Sequence, residues 1–330
     1  MSVLSQAHFH DEKAAYAFIE AHLWANGRPC PHCGVFDRSS PLKSKADSKH
    51  KVRIGVYKCY ECRKPFTVKV GTIFEASHIK LHIWLQAIFL ISSSKKGVSA
   101  NQLHRTLGIT LKSAWFLAHR IREAMRDGGL DALGSEGQIV EADETYFGKK
   151  SGPLPTHNYW GVPYPKGKGG AKRAHKRAIV SLVERGGKVR SFHVDGATKD
   201  NVARIVINNV SKEAKLHTDE SRLYWGADAH VSEHQTVHHA KGEYARGNVN
   251  TNSVEGYFSI FKRGMKGIYQ HCGEQHLHRY LAEYDFRYNN REALGYNDQD
   301  RAVNLLKGVS GKRLTYNLFD QKENVQKVQA

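Results

Sequence analysis

Three segments place acids where an acid has a cost unless it is used. Ile139-Val140-Glu141-Ala142-Asp143-Glu144-Thr145-Tyr146-Phe147 alternates as a strand does, which puts Glu141 and Asp143 on one face. Leu216-His217-Thr218-Asp219 closes a second apolar run with a carboxylate at a strand's carboxyl end. Two such carboxylates brought together repel unless a cation lies between them, and their hard oxygens select Mg2+ or Mn2+. A pair of those ions about 3.5 to 4 Å apart can activate an attacking oxygen and stabilise a leaving one. The third segment, Thr251-Asn252-Ser253-Val254-Glu255, opens a helix on which Asn252, Glu255, Ser259 and Lys262 share one face, while Val254, Tyr257, Phe258 and Phe261 can face a sheet. Glu255 is a candidate third metal ligand, Asn252 an oxygen ligand or a cap, and Lys262 a phosphate contact. The same spacing also describes a capping box, with Glu255 bonding the first backbone N–H of the helix. Simpler uses of the other two acids are a turn cap at Asp219 and a salt bridge at Asp143.

The cysteines suggest a second centre of chemistry. Cys30 and Cys33, then Cys59 and Cys62, form two pairs at C-x2-C spacing, and two such turns supply four soft ligands to a tetrahedral Zn2+. A module this small gains its stability from that ligation. The loop between the pairs, from Gly34 to Lys58, is long and basic, and its extra length has a modest entropic cost. Cys272 is left over, and His32 is read as a bystander inside the first turn.

Around these residues the chain is strongly basic, with 50 Lys and Arg against 32 Asp and Glu, a formal charge of +18. That balance suits a polyanion, nucleic acid ahead of an anionic membrane. The most apolar stretch, Ile79 to Ile91, is interrupted by Lys80, His82 and Gln86 and is too short for a bilayer span. Nothing in Met1 to Glu20 suggests secretion, so a reducing cytoplasm is the expected location. The run from Lys149 to Arg177 holds eight basic residues and no acid, interleaved with Tyr159, Trp160 and Tyr164. It is either a DNA-contacting loop, with Lys149, Lys150, Lys172, Arg173, Lys176 and Arg177 as contacts, or a solvated insert. Lys262 and Arg263 are further candidate DNA contacts. His234, His238 and His239 are read as surface or core histidines, because strand alternation separates the last two.

The elements that must position these groups follow from periodicity. A helix is expected around Asp11 to Ala25, a small strand-rich zinc module to Val70, and a helix carrying Leu81, Trp84, Leu85, Ile88 and Phe89. Ser99 to Met125 predicts two helices about Gly108-Ile109-Thr110, which is helix-turn-helix spacing. Asp127 to Glu136 reads as a linker. Strands are expected at Gln138–Phe147, Ala178–Val183, Lys188–Val194, Ala214–Thr218 and around Val237, with helices at Asp200–Val210, Asn252–Gly264 and Glu274–Arg287. That order predicts an α/β fold of RNase H-like type, a mixed sheet with flanking helices. The expected divisions are a zinc ribbon with its leading helix at 1–72, a helical region at 73–130, a catalytic domain at 131–310 and a polar tail at 311–330.

Taken together, these residues resemble an insertion-sequence transposase of the ISXO type, a zinc ribbon joined to a DDE-class RNase H-like domain. The segments that carry the resemblance are Cys30-Pro31-His32-Cys33 with Cys59-Tyr60-Glu61-Cys62, Glu141 through Gly148, His217-Thr218-Asp219, Asn252-Ser253-Val254-Glu255-Gly256 through Phe261-Lys262-Arg263-Gly264, Leu277-His278-Arg279-Tyr280, and Phe286-Arg287-Tyr288-Asn289-Asn290-Arg291. The resemblance implies that Asp143, Asp219 and either Asn252 or Glu255 hold a catalytic Mg2+ or Mn2+ beside Lys262, and that the cysteines hold structural Zn2+. It further implies double-stranded DNA as partner, both transposon end repeats and target, with at least a homodimer on the DNA. Competing readings are a zinc and helix-turn-helix regulator that binds without cutting, and a nuclease that cuts without joining. Fifteen tyrosines are present, but no arginine cluster of the kind a tyrosine recombinase needs stands out.

Overall fold

Alternation is strongest from residue 139 onward, and there it builds the centre of a five-stranded sheet. The computed structural model describes residues 2–44, 51–126, 128, 131–153, 156–157, 161–163 and 175–315. The chain divides into two units, one built on Met1–Asp127 and Asn290–Asp320, the other on Gly128–Asn289. In chain order the first contributes α1 (Glu12–Leu23), β1 (Ser39–Pro41), β2 (Tyr57–Cys59), β3 (Pro65–Phe66), α2 (Leu81–Ser93), α3 (Ala100–Leu107) and α4 (Leu111–Met125). The second contributes β4 (Ile139–Lys149), β5 (Lys176–Glu184), β6 (Val189–Val194), α5 (Lys199–Asn209), β7 (Lys215–Asp219), β8 (Glu233–Val237), β9 (Ala245–Arg246), β10 (Val249–Asn250), α6 (Asn252–Gly264) and α7 (Leu277–Asn289). Then α8 (Asp298–Lys307) returns to the first unit.

In the first unit, Asp11 caps α1 by accepting from Ala14 N at 2.7 Å. The three short strands pair antiparallel in the order β1-β2-β3, a small ribbon whose core is Cys30, Cys59 and Phe66, with Trp24 and Tyr57 packed on it. The two helices expected about Gly108 form: α3 ends at Gly108, whose φ of +65° is open to glycine at no steric cost, and Thr110 caps α4 by accepting from Ser113 N at 3.2 Å. Nothing in the sequence analysis anticipated α8. Its signal was Asn297, which accepts from Gln299 N and Asp300 N while Asp300 accepts in return from Asn297 N. The helix packs on α2 and α1 and buries Leu305 and Leu306, so the stretch expected to run from 131 to 310 leaves its unit at Asn289. The beginning of the expected tail is held too, with Gly311 N on Gly71 O at 2.8 Å and Leu314 buried; residues 316–330 lie outside the described residues.

In the second unit the sheet order is β6-β5-β4-β7-β8. The β6-β5 and β5-β4 pairs are antiparallel, whereas β4-β7 and β7-β8 are parallel, the mixed RNase H-like sheet that was expected. One face packs Val140, Ala142, Val180, Leu182 and Leu216 against Val202, Ile205 and Val206 of α5. The other packs Ile179, Val183 and Val189 against Val254, Tyr257, Phe258 and Phe261 of α6 and Leu277, Leu281 and Tyr284 of α7. Along β4, therefore, even-numbered residues face α5 and odd-numbered residues, Glu141 and Asp143 among them, face α6. Leu133, expected in a linker, is buried in the first of these cores and pairs with Val210. Asp127, Gly129 and Leu130 of that linker lie outside the described residues.

The two faces of α6 differ as its periodicity requires: Val254 and Phe261 are fully buried, while Asn252, Glu255 and Ser259 are exposed. Phe261 packs edge-on to both Phe147 and Tyr284. Phe261→Ala is expected to lower the unfolding free energy by about 3–5 kcal/mol in a denaturant titration. Ser259→Ala, two residues away on the exposed face, is expected to stay within about 0.5 kcal/mol. Equal losses would contradict the assignment of faces.

Candidate active site and metal centres

Strand register brings the first two acids together. The parallel pairs Ile139↔Lys215, Val140↔Leu216 and Glu141↔His217, carried two residues further, set Asp143 beside Asp219 on the α6 face of the sheet. Carboxylate oxygens of Asp143, Glu144 and Asp219 lie within 4.8 Å of one another. Glu144 was not anticipated as a member, since alternation turns it toward α5. Past the last residues that pair with β7, however, the edge of β4 is open and an acid from the second face reaches the same point. Glu144 N donates to Asp143 Oδ1 at 2.7 Å, Tyr224 OH donates to Glu144 Oε2 at 3.2 Å, and Ser221 N donates to Asp219 Oδ1 at 3.1 Å.

The three acids destabilise one another's charged forms. Burial, then the negative charges of Glu144, Asp219 and Glu255, pushes Asp143 from an ordinary 3.8 up to about 8. Burial also raises Glu144 and Asp219. Three half-buried carboxylates in one place are a donor set that a divalent cation fits, because a +2 charge removes the repulsion that otherwise keeps a proton there.

Glu255 and Lys262 approach from α6. Glu255 Oε1 accepts from Thr251 Oγ1 at 3.1 Å and stands 3.7 Å from His239 Nε2. It lies outside the 4.8 Å set, yet its charge reaches Asp143. Burial lowers the Lys262 ammonium, opposed by the attraction of Asp143. Asn252 is exposed at the start of the helix, with its backbone N–H on Asn250 Oδ1 at 3.3 Å. The capping box considered for Asn252 and Glu255 does not form: the cap position is Thr251, and the N–H groups of Ser253 and Val254 are taken by Glu141 instead.

Glu141 is fully buried and is not part of the acidic cluster. Its Oε2 accepts from Ser253 N at 2.7 Å and Val254 N at 3.1 Å; its Oε1 accepts from Ser253 Oγ at 2.9 Å and pairs with Arg185 NH2 at 2.7 Å. Arg185 goes on to Asn248 and Asn250 in the segment that leads into α6. The acid that the sequence analysis placed beside Asp143 thus anchors the helix that carries Glu255 and Lys262. His239, set aside there as a surface or core histidine, has a buried Nε2 with no hydrogen bond and faces Glu255. His234 bonds Thr218 Oγ1 at 3.0 Å and His238 begins a short turn.

In the ribbon, Cys30 Sγ lies 3.7 Å from Cys62 Sγ and Cys33 Sγ 3.7 Å from Cys59 Sγ, with all four thiols within 4.8 Å. Tetrahedral Zn–S bonds of about 2.3 Å place sulfurs about 3.8 Å apart, so the four residues fit zinc. His32 stays apart, with Nε2 3.4 Å from the Pro65 carbonyl.

The candidate DNA contacts separate. Lys149, Lys176 and Arg263 are exposed, and Lys150 Nζ bonds the Asp195 carbonyl. Arg177 is buried and donates to the Cys272 carbonyl at 2.7 Å, which takes it out of the exposed basic set. Lys172 and Arg173, with Tyr159, Trp160 and Tyr164, lie outside the described residues.

The raised pKa of Asp143 has a measurable sign. With Mg2+ omitted and zinc retained, the folded protein keeps a proton on Asp143 that the unfolded chain releases near 3.8. The stability this contributes is present below that value and is lost as pH rises toward about 8. Unfolding free energy measured from pH 5 to pH 8 is therefore expected to fall more steeply in the wild type than in Asp143→Asn; parallel slopes would contradict it.

Comparison with known proteins agrees with this geometry. Residues 135–289 match the ISXO2-like transposase domain and residues 10–65 the transposase zinc-ribbon domain. A protein of Halobacterium salinarum (strain NRC-1), described as an uncharacterized protein in transposable element ISH50, is 25% identical over 289 residues, covering 84% of this chain and 91% of that protein. With a transposase zinc ribbon followed by the RNase H-like domain that holds the acidic cluster, the chain belongs to the family of ISXO2-like transposases.

Proposed function

We propose that this protein cuts DNA at the ends of an insertion sequence and joins the freed 3′-hydroxyls to target DNA. The observation that carries the proposal is the convergence of Asp143, Glu144 and Asp219 oxygens within 4.8 Å inside a transposase domain. When bound, Mg2+ or Mn2+ supplies Lewis-acid stabilisation of the charge that develops on the attacking and leaving oxygens. Asp143, Glu144 and Asp219 would hold it. Of the two candidates on α6, Glu255 is the one whose charge acts on Asp143, and it completes the set in preference to Asn252. Lys262, close enough for Asp143 to affect its ionisation, binds a phosphate oxygen of the strand being cut and fixes the line of attack.

Backbone phosphates are gripped by Lys149, Lys150, Lys176 and Arg263, with Lys172 and Arg173 adding charge in the intervening segment. The zinc ribbon, held by Cys30, Cys33, Cys59 and Cys62, and the helix-turn-helix of α3 and α4 recognise the end repeats, and Zn2+ there is structural. Joining two ends in one event needs two such sites, so the working assembly on DNA is at least a dimer.

DNA carrying the sequences that flank the gene, incubated with the purified protein and Mg2+, is expected to be nicked at the ends and joined to a target duplex. Asp143→Ala and Asp219→Ala are expected to lower both steps roughly 100-fold or more while leaving DNA binding intact. Glu255→Ala is expected to follow them, and Asn252→Ala to stay within a few fold. A wild type that binds but never cuts, or active Asp variants, would overturn the proposal in favour of a non-cutting DNA-binding protein.

A further inference from the structure

Beside the acidic cluster, on the α5 face of the sheet, runs an apolar groove of about 240 Å³ between α5 and the turn that follows β7. Val202, Val206 and Ile207 form one wall, and Leu223, Tyr224 and Trp225 form the other. Two large apolar side chains at its mouth are left in solvent, Trp225 at 59% and Ile207 at 52% exposure. The volume is below the roughly 300–1,000 Å³ of pockets for drug-sized ligands and leaves room for one planar ring system.

Charge and position select the occupant. Lys199 and His230 line the groove, Arg222 holds its guanidinium 5.2 Å over the Trp225 ring, and no acid is among the lining residues. An aromatic platform with cations beside it and no acid in its lining suits a nucleobase carried on a phosphate backbone. The groove also adjoins the site of chemistry: Tyr224 lines it and donates to Glu144, and Trp225 follows Asp219 by six residues through a turn tied back by Ser221 N to Asp219 Oδ1. A base in an intact duplex cannot lay its face on Trp225, so the base must leave its stack.

We propose that this groove receives one nucleobase, extruded from the duplex next to the cut phosphate and stacked on Trp225, with Arg222 and Lys199 on the flanking phosphates. The inference rests on the proposed action on DNA ends. Holding a base there would fix which phosphate lies at Asp143 and Asp219, a placement that strand register alone does not provide.

The test is a mismatch walk. Single mismatches are placed in turn along the end DNA, and affinity is measured without Mg2+ for wild type, Trp225→Ala and Trp225→Phe. A mismatch removes the pairing that extrusion must break, so one position near the cut is expected to bind wild type about tenfold more tightly than matched DNA. That gain is expected to vanish in Trp225→Ala and to survive in Trp225→Phe. A gain spread evenly over all positions, or one undiminished in Trp225→Ala, overturns the proposal, as does a Trp225→Ala variant that changes only the oligomeric state in light scattering. The readout is binding alone. A wild type that shows the position-specific gain but never cuts would sink the transposase reading and leave the groove standing, whereas one that cuts with no such position would do the reverse.

Discussion

A fully buried carboxylate, Glu141, stands where strand β4, the Arg185 guanidinium and the first turn of α6 meet. Such a charge is tolerated inside a protein only when paired and hydrogen-bonded, and removing a partner typically costs about 3–5 kcal/mol. Here two backbone N–H groups at the positive end of a helix, a serine hydroxyl and a guanidinium satisfy it. The arrangement leaves α6 little freedom to rotate or slide on the sheet. Two residues along the same strand face lies Asp143, so the interaction that fixes the helix also fixes Glu255 and Lys262 relative to Asp143.

The second constraint is strand register. A one-residue slip of β7 against β4 would turn Asp219 to the α5 face and separate it from Asp143. That slip is opposed on both sides: Leu216 is buried against α5, and Glu141 on the neighbouring strand cannot leave α6. The repulsion among Asp143, Glu144 and Asp219 is stored against these two restraints, and it is what makes the cluster a candidate cation site.

Much of this was legible beforehand because it is periodic. The alternation of Val140 and Ala142 with Glu141 and Asp143 foretold the central strand and its faces, and the apolar positions of α6 foretold which side packs. Paired C-x2-C turns named the ribbon thiols. The unforeseen parts depend on partners distant in sequence. Glu141 looks like a catalytic acid until Arg185 and the N–H groups of Ser253 and Val254 come to it through the fold. Glu144 joins Asp143 only because the strand edge is open there, a tertiary circumstance that period-two reasoning excludes. His239 faces Glu255 after a turn that alternation does not describe. By contrast α8 did carry a local signal, the capping box at Asn297 and Asp300, which a reading guided by longer apolar runs passes over.

That Asp143 and Asp219 together bind a divalent cation is tested most directly by Mn2+ uptake followed by electron paramagnetic resonance at pH 8. Wild-type protein is expected to take up Mn2+ from solution, and Asp143→Asn and Asp219→Asn, each with an unchanged circular dichroism spectrum, are expected to lose at least tenfold in affinity. Undiminished Mn2+ binding by both variants would contradict it.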